Sequence, residues 1–289
     1  MRELERFSAP IRRELEDAGR RLDEVLSGIA LNSPLPDLYA RYVDPPVRHL
    51  FQTGGKLLRP LMVLLSARAV GEIARSSYGA LVQAAAAVEL IHTASLAHDD
   101  MVDGSAERRG LPSLHVAYGH TTAVLIGDLL YSRFFQEIAA LPDTLPGLRV
   151  RLLDSFLTVT ARMCEGEILE AQLRTEGTPP SFETYLHITE TKTADLVSAC
   201  CRAGALLNGG SDGAVESLAA YGRALGLLFQ IADDLSDGDA AFTRRPLLVI
   251  KAEECRRTAE SALGVLPGND ATATLCELPG VILSPSLHR

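Results

Sequence analysis

The stretch ELIHTASLAHDDMVDGSAERRG (89–110) brings three carboxylates, Asp99, Asp100 and Asp103, to the end of an apolar helical run, then adds Arg108 and Arg109. Asp99 and Asp103 stand four apart, so on a helix they share a face and repel. Carboxylates in a last helical turn also meet the negative end of the macrodipole, at a cost of about 0.3–1 kcal/mol each. Burial of that turn would add desolvation. A second stretch, ALGLLFQIADDLSDGD (224–239), repeats the pattern with Asp233, Asp234 and Asp237 at the same spacing. Two acidic turns at the ends of two apolar helices read as two halves of one cation site. Mg²⁺ suits such oxygen donors, because it takes one or two carboxylates and completes its shell with water and substrate phosphates. His92 lies seven residues before Asp99, two turns along the same face, and Gln230 lies one turn before Asp233, where its amide could donate to a phosphate oxygen.

The elements that must position these groups are helices. Apolar residues recur with a 3.6-residue period over 11–31, 57–70, 78–101, 122–141, 148–173, 182–207, 214–235 and 246–266, and strand alternation is not evident. Pro, Gly and Asn punctuate the intervals, as in NSPLPD, LPDTLPG, EGTPPS and NGGSDG. The expectation is an all-α bundle, one domain over 1–289, with its site built from side chains of facing helices. A net charge of −9 without a basic stripe argues against nucleic acid. Five cysteines without metal spacing suit buried thiols in a reducing cytoplasm. The charged N-terminus is unlike a signal peptide, and no apolar run is judged to approach the ~18 residues of a membrane span, so no stable membrane insertion is expected.

Five segments in this order, GGKLLRP (54–60), HDDMVDGSAERRG (98–110), GDLLYSRFF (127–135), KTADL (192–196) and FQIADDLSD (229–237), make the chain resemble the trans-isoprenyl diphosphate synthases, the polyprenyl synthetase family, from about residue 50 to 237. The resemblance implies a large helical bundle with a central cavity, in which isopentenyl diphosphate is joined to an allylic diphosphate with Mg²⁺. It implies Asp99, Asp103 and Asp233 as direct metal ligands, with Asp100, Asp234 and Asp237 in water-mediated or outer support. Lys56, Arg59, His92 and Arg109 would bind isopentenyl diphosphate, and Arg108 and Lys192 the allylic diphosphate. Thr193 would turn an oxygen toward the cation. Glu165, Glu167 and Glu170 are expected to form a wall of the cleft. Relatives commonly dimerise through helices that include the GDLLYSRFF region, so a homodimer is expected, with Phe134 and Phe135 offering apolar area.

The pattern departs from the family after Asp237. Relatives follow the second acidic turn with a loop containing Gly and Lys, whereas DGDAAFTRRPLLVIK passes almost directly to Pro246. Arg244 or Arg245 is the expected substitute for the missing lysine, and the tail after Leu266 reads as short. Product length is expected to depend on the helix before the first acidic turn. Ala94 and Ser95, five and four residues before Asp99, are small where short-chain relatives often carry rings, and Ile91, Val88 and the alanine run 84–87 lie beyond them. The expected product is a medium- to long-chain all-trans polyprenyl diphosphate. The alternatives are a short-chain synthase, a catalytically weak regulatory subunit, and a terpene cyclase, which the second diphosphate-binding set disfavours.

Overall fold

Apolar side chains every three to four residues demand a buried face on nearly every segment, and the chain meets that demand with helices packed on helices. The structure, a computed structural model, describes residues 6–31, 34–52, 57–237 and 245–284. A 3₁₀ turn (Arg6–Ile11) leads into α1 (Arg12–Leu31), α2 (Pro36–Tyr42), α3 (Asp44–Phe51), α4 (Leu58–Val70) and α5 (Arg75–Val102). A short ribbon of β1 (Glu107–Arg108) and β2 (Leu111–Pro112) follows, then α6 (Leu114–Tyr118), α7 (His120–Ala139), α8 (Pro146–Glu176) and α9 (Phe182–Thr189). One π turn (Glu190–Ala194) joins α9 to α10 (Asp195–Leu207), and α11 (Asp212–Asp237), α12 (Arg245–Ala262), a 3₁₀ turn (Leu263–Val265) and α13 (Asp270–Ile282) complete the order.

Local chemistry sets several boundaries. Pro146 occupies the first turn of α8, where its missing N–H costs nothing, and Gly177 ends that helix at φ +65°. Ser181 caps α9 by accepting from Thr184 N at 3.0 Å, and Asn269 caps α13 by accepting from Thr272 N at 2.9 Å. The core is centred on α5, where Leu81, Ala84, Ala85, Val88, Leu90, Ile91, Ala94 and Ala97 are all buried. It packs on α1, α4 and α7, while α10 lies between α4 and α11. Gly204 on α10 faces the backbone of α4: a Cβ there would lie 1.9 Å from the Val63 carbonyl oxygen.

Several expectations need correction. The predicted helix 182–207 is interrupted by the π turn, which leaves apolar periodicity almost unchanged. Three short helices (α2, α3 and α6) and the two-residue ribbon are too brief to show a period. The tail forms α13, which buries Ala271, Leu275, Leu278 and Ile282. The helix α5 is long and apolar enough to cross a membrane by length and composition, contrary to the reading of the sequence; its alanines raise the hydropathy, and most of its apolar stretch is buried in the bundle. Phe134 offers no area for a partner, since it is fully buried against Phe156 with ring centroids 5.0 Å apart, and Phe135 packs partly buried beside it. Of the cysteines, Cys164 and Cys276 are exposed rather than in the core.

Candidate functional site

The first acidic turn falls at the last turn of α5, with Asp103 as its C-cap, and the second falls at the last turn of α11. The two helices bring Asp99 and Asp233 to the same cavity of about 430 Å³, whose other wall carries Arg59, His92, Arg108 and Arg109. Lys192 and Thr193 project into it from the π turn. Such turns recur at functional sites because they re-aim side chains within a helix. Two glycines receive this one: a Cβ on Gly166 of α8 would lie 2.3 Å from Thr191 Oγ1, and one on Gly226 of α11 would lie 2.7 Å from Ala194 Cα.

Each carboxylate of the first turn has a different environment. Asp100 is 2% exposed and is gripped by Arg108, whose Nε lies 2.8 Å from both carboxylate oxygens. Its negative charge therefore orients an arginine beside Asp99. Arg108 stands on β1, and the hairpin turns through Arg109 and Gly110 at φ +53° and +79°. Positive φ at both central residues is the two-residue turn that matches strand twist, and the strain on Arg109 sets that side chain at the cavity. Asp103 is ion-paired with Arg174, Nη1 to Oδ1 at 2.5 Å. Asp99 faces Glu167 and Asp103; burial first, and those like charges second, push its carboxyl up to about 7, with Lys192 opposing.

The second turn is anchored by neutral donors. Asp234 accepts from Tyr185 Oη at 2.5 Å and from Gln230 Nε2 at 2.9 Å, and Thr193 Oγ1 donates to Gln230 Oε1 at 3.4 Å. Gln230 and Thr193 are thus engaged with each other and with Asp234. Lys192 pairs with Glu167 at 2.5 Å and with Glu170; burial opposes its charge, but these carboxylates push the ammonium up. It lines three adjoining cavities of about 430, 530 and 210 Å³. Glu165 is exposed and forms no wall. Among the described residues, no three His, Cys, Asp or Glu side chains stand together at metal-ligand spacing; the acidic turns occupy separate walls, with Arg108, Arg174 and Lys192 among their carboxylates.

The basic wall is deeply buried. Burial lowers the His92 imidazole well below its ordinary value, helped by Arg59, Arg109 and Arg108, so the ring is neutral. Arg59 Nε and His92 Nδ1 are buried and have no hydrogen-bond partner within the protein. Glu89, one turn before His92, is buried beside them; burial raises its carboxyl, while Arg59 and Arg109 hold it down. Lys56, Arg244 and the side chain of Asp237 lie outside the described residues. Arg245 donates to Leu235 O at 3.2 Å, on the carbonyl end of α11, and lines none of the three cavities. Ser95 lines both the 430 Å³ and the 210 Å³ cavities; Ala94, Ile91 and Val88 are fully buried and line neither.

The family model described as polyprenyl synthetase matches residues 40–242, a span that contains both acidic turns, the π turn and the basic wall. The chain belongs to the polyprenyl synthetase family. It is 40% identical to a geranylgeranyl diphosphate synthase of Methanosarcina mazei over 208 residues, covering 72% of this chain and 62% of that protein. It is 34% identical to a short chain isoprenyl diphosphate synthase of Methanothermobacter thermautotrophicus, over 90% of this chain and 80% of that one. An octaprenyl diphosphate synthase of Haemophilus influenzae matches at 37% over 66% of this chain and 55% of that protein. The fold matches the crystal structure of a geranylgeranyl pyrophosphate synthetase from Pyrococcus horikoshii Ot3 with a TM-score of 0.83, at 24% identity over 98% of this chain and 99% of that one.

Within this polyprenyl synthetase fold, Glu89, Tyr185 and Arg174 were not found from sequence. Glu89 could have been, because it continues the His92 and Asp99 face toward the N-terminus; the other two meet their aspartates only through tertiary contact, 49 and 71 residues apart. The raised carboxyl of Asp99 has a measurable consequence. An acid whose folded pKa exceeds its unfolded value of about 3.9 costs stability as pH rises through that window, because the native state then binds more protons than the unfolded one. Asp99→Asn should therefore raise the Tm of metal-free protein at pH 8 and leave it almost unchanged at pH 4. Equal shifts at both pH values, measured by calorimetry in chelator, would contradict this electrostatic account.

Proposed function

We propose that this chain is a Mg²⁺-dependent prenyltransferase that joins isopentenyl diphosphate to an allylic diphosphate to make an all-trans polyprenyl diphosphate. The observation that carries the reading is a cavity lined by Asp99 and Asp233 together with Arg59 and His92, whose buried Nε and Nδ1 have no hydrogen-bond partner within the protein. A buried polar group without a partner costs about 1–3 kcal/mol. Phosphate oxygens would remove that cost for both.

The donor set fits a hard cation. Asp99, Asp103 and Asp233 present carboxylate oxygens, and the crowding of Asp99 by Glu167 and Asp103 is relieved by positive charge. When bound there, Mg²⁺ would supply Lewis-acid stabilisation of the departing diphosphate. The protein's own groups do the rest. Lys192 and Arg108 bind the allylic diphosphate as its charge develops. Arg59, His92 and Arg109 hold isopentenyl diphosphate, and the neutral imidazole contributes a directed hydrogen bond without adding charge. Leu96, Val197 and Phe229 on the cavity wall exclude water while the allylic cation is attacked. Incubation with isopentenyl diphosphate and allylic primers, with and without Mg²⁺, tests the reading; no condensation with any primer would reject it.

For product length, the small side chains of Ala94 and Ser95 and the alanine run beyond them support a medium- to long-chain product. A short-chain product is the second reading. It is favoured by the names of the first two relatives and by the tight packing of Ala94, Ile91 and Val88. Chromatography of the product separates them. Ser95 borders the 210 Å³ cavity opposite Tyr131 and Met163, so Ser95→Phe should shorten the product while preserving the first condensation. An unchanged product distribution would remove Ser95 from chain-length control.

A further inference from the structure

Arg174, near the C-terminal end of α8, ties that helix to the end of α5 through its contact with Asp103 at 2.5 Å, and its second nitrogen lies 3.8 Å from Glu170. It also lines the 530 Å³ cavity with Lys192, Thr193, Gln230 and Asp234. One side chain therefore touches the first acidic turn and borders a space that reaches the second. The guanidinium is 46% exposed, so it can change direction without disturbing the core.

A divalent cation on Asp103 would replace the attraction that holds Arg174 there with repulsion. A diphosphate lying between the two acidic turns would at the same time offer new acceptors beside it, and the guanidinium fork binds phosphate oxygens in pairs. We propose that Arg174 changes partner during the catalytic cycle, holding Asp103 in the resting protein and binding the diphosphate once a cation occupies Asp103. The proposal rests on reading the cleft as a cation and diphosphate site. It adds to that site a phosphate ligand that the sequence motifs do not contain.

Calorimetric titration of the full chain with two probes tests it: MgCl₂ alone, and inorganic pyrophosphate at saturating Mg²⁺. Loss of a charge-assisted hydrogen-bonding pair should make Arg174→Ala bind pyrophosphate about tenfold more weakly. The same variant should bind Mg²⁺ alone more tightly than the parent, since the competing cation is gone. Arg174→Lys, which keeps the charge and loses the fork, should fall between Ala and the parent for pyrophosphate. Lys192→Ala serves as the control for the cleft itself. If Lys192→Ala weakens pyrophosphate binding and both Arg174 variants match the parent, the partner change is wrong and the cleft reading stands. If Lys192→Ala also matches the parent, both are wrong.

Discussion

Asp99→Ala and Asp233→Ala should each lower turnover by about a thousandfold, roughly 4 kcal/mol of transition-state stabilisation, with the helical circular dichroism of both unchanged. The size follows from the site proposed for them. Each would remove an anionic oxygen donor from a cation that must offset the charge of a departing diphosphate, and neither neighbouring Asp100 nor Asp234 is free to replace it. Asp100 is clamped by Arg108, and Asp234 is held by Tyr185 and Gln230. The fold should survive, because Asp99 sits among like charges and its removal relieves repulsion. Steady-state assays at saturating substrates, paired with a chelator control on the parent, measure the effect. Parental rates for both variants, or full activity of the parent in chelator, would reject the proposed role of these carboxylates.

Among the described glycines, Gly204→Ala should be the most disruptive substitution. Its Cβ would meet the Val63 carbonyl oxygen at 1.9 Å, the Val63 carbonyl carbon at 2.8 Å and Ala67 N at 3.1 Å. These are backbone atoms of a buried helix and have no rotamer to change, so α10 and α4 must separate. Overpacking ordinarily costs about 1–3 kcal/mol; with backbone on the receiving side the upper end is expected, a fall in Tm of about five degrees for a chain of this size. The damage should reach the cleft. Arg59 is in the first turn of α4, and a displacement of about 1 Å can cost a hundredfold in positioned chemistry, so KM for isopentenyl diphosphate should rise. Gly213→Ala, where a Cβ meets nothing within 4 Å, is the matched control. A Tm for Gly204→Ala equal to that of the control would show that the two helices tolerate separation.

Much of this architecture was readable in the sequence because it is local. The long helices announce themselves by period, and the acidic turns by carboxylates placed where a helix end should repel them. What escaped depends on distant residues meeting. Nothing near Arg174 in the chain points to Asp103, and the nearness of Arg108 to the acidic turn does not say which of the three carboxylates it will grip. Phe134 shows the opposite failure: an aromatic pair on an apolar helix looks the same whether it faces a partner or the interior, and here it faces Phe156. Arg245, one of the two expected cationic substitutes, donates instead to the Leu235 carbonyl at the end of α11, a contact that no local pattern announces.

The π turn at Glu190–Ala194 carries one residue more than an α-helical turn would use. Each residue advances an α-helix by about 100°, and the widened turn takes up its extra residue without that advance, so α10 runs on from α9 as one rod with its residues shifted one place in register. Winding the same residues as a uniform α-helix would rotate everything after the turn. Gly204 would swing away from Val63, a bulkier neighbour would be presented to α4, and the faces that meet α11 would be exchanged. The turn is a phase adjuster that lets one continuous segment satisfy two contact surfaces of different orientation.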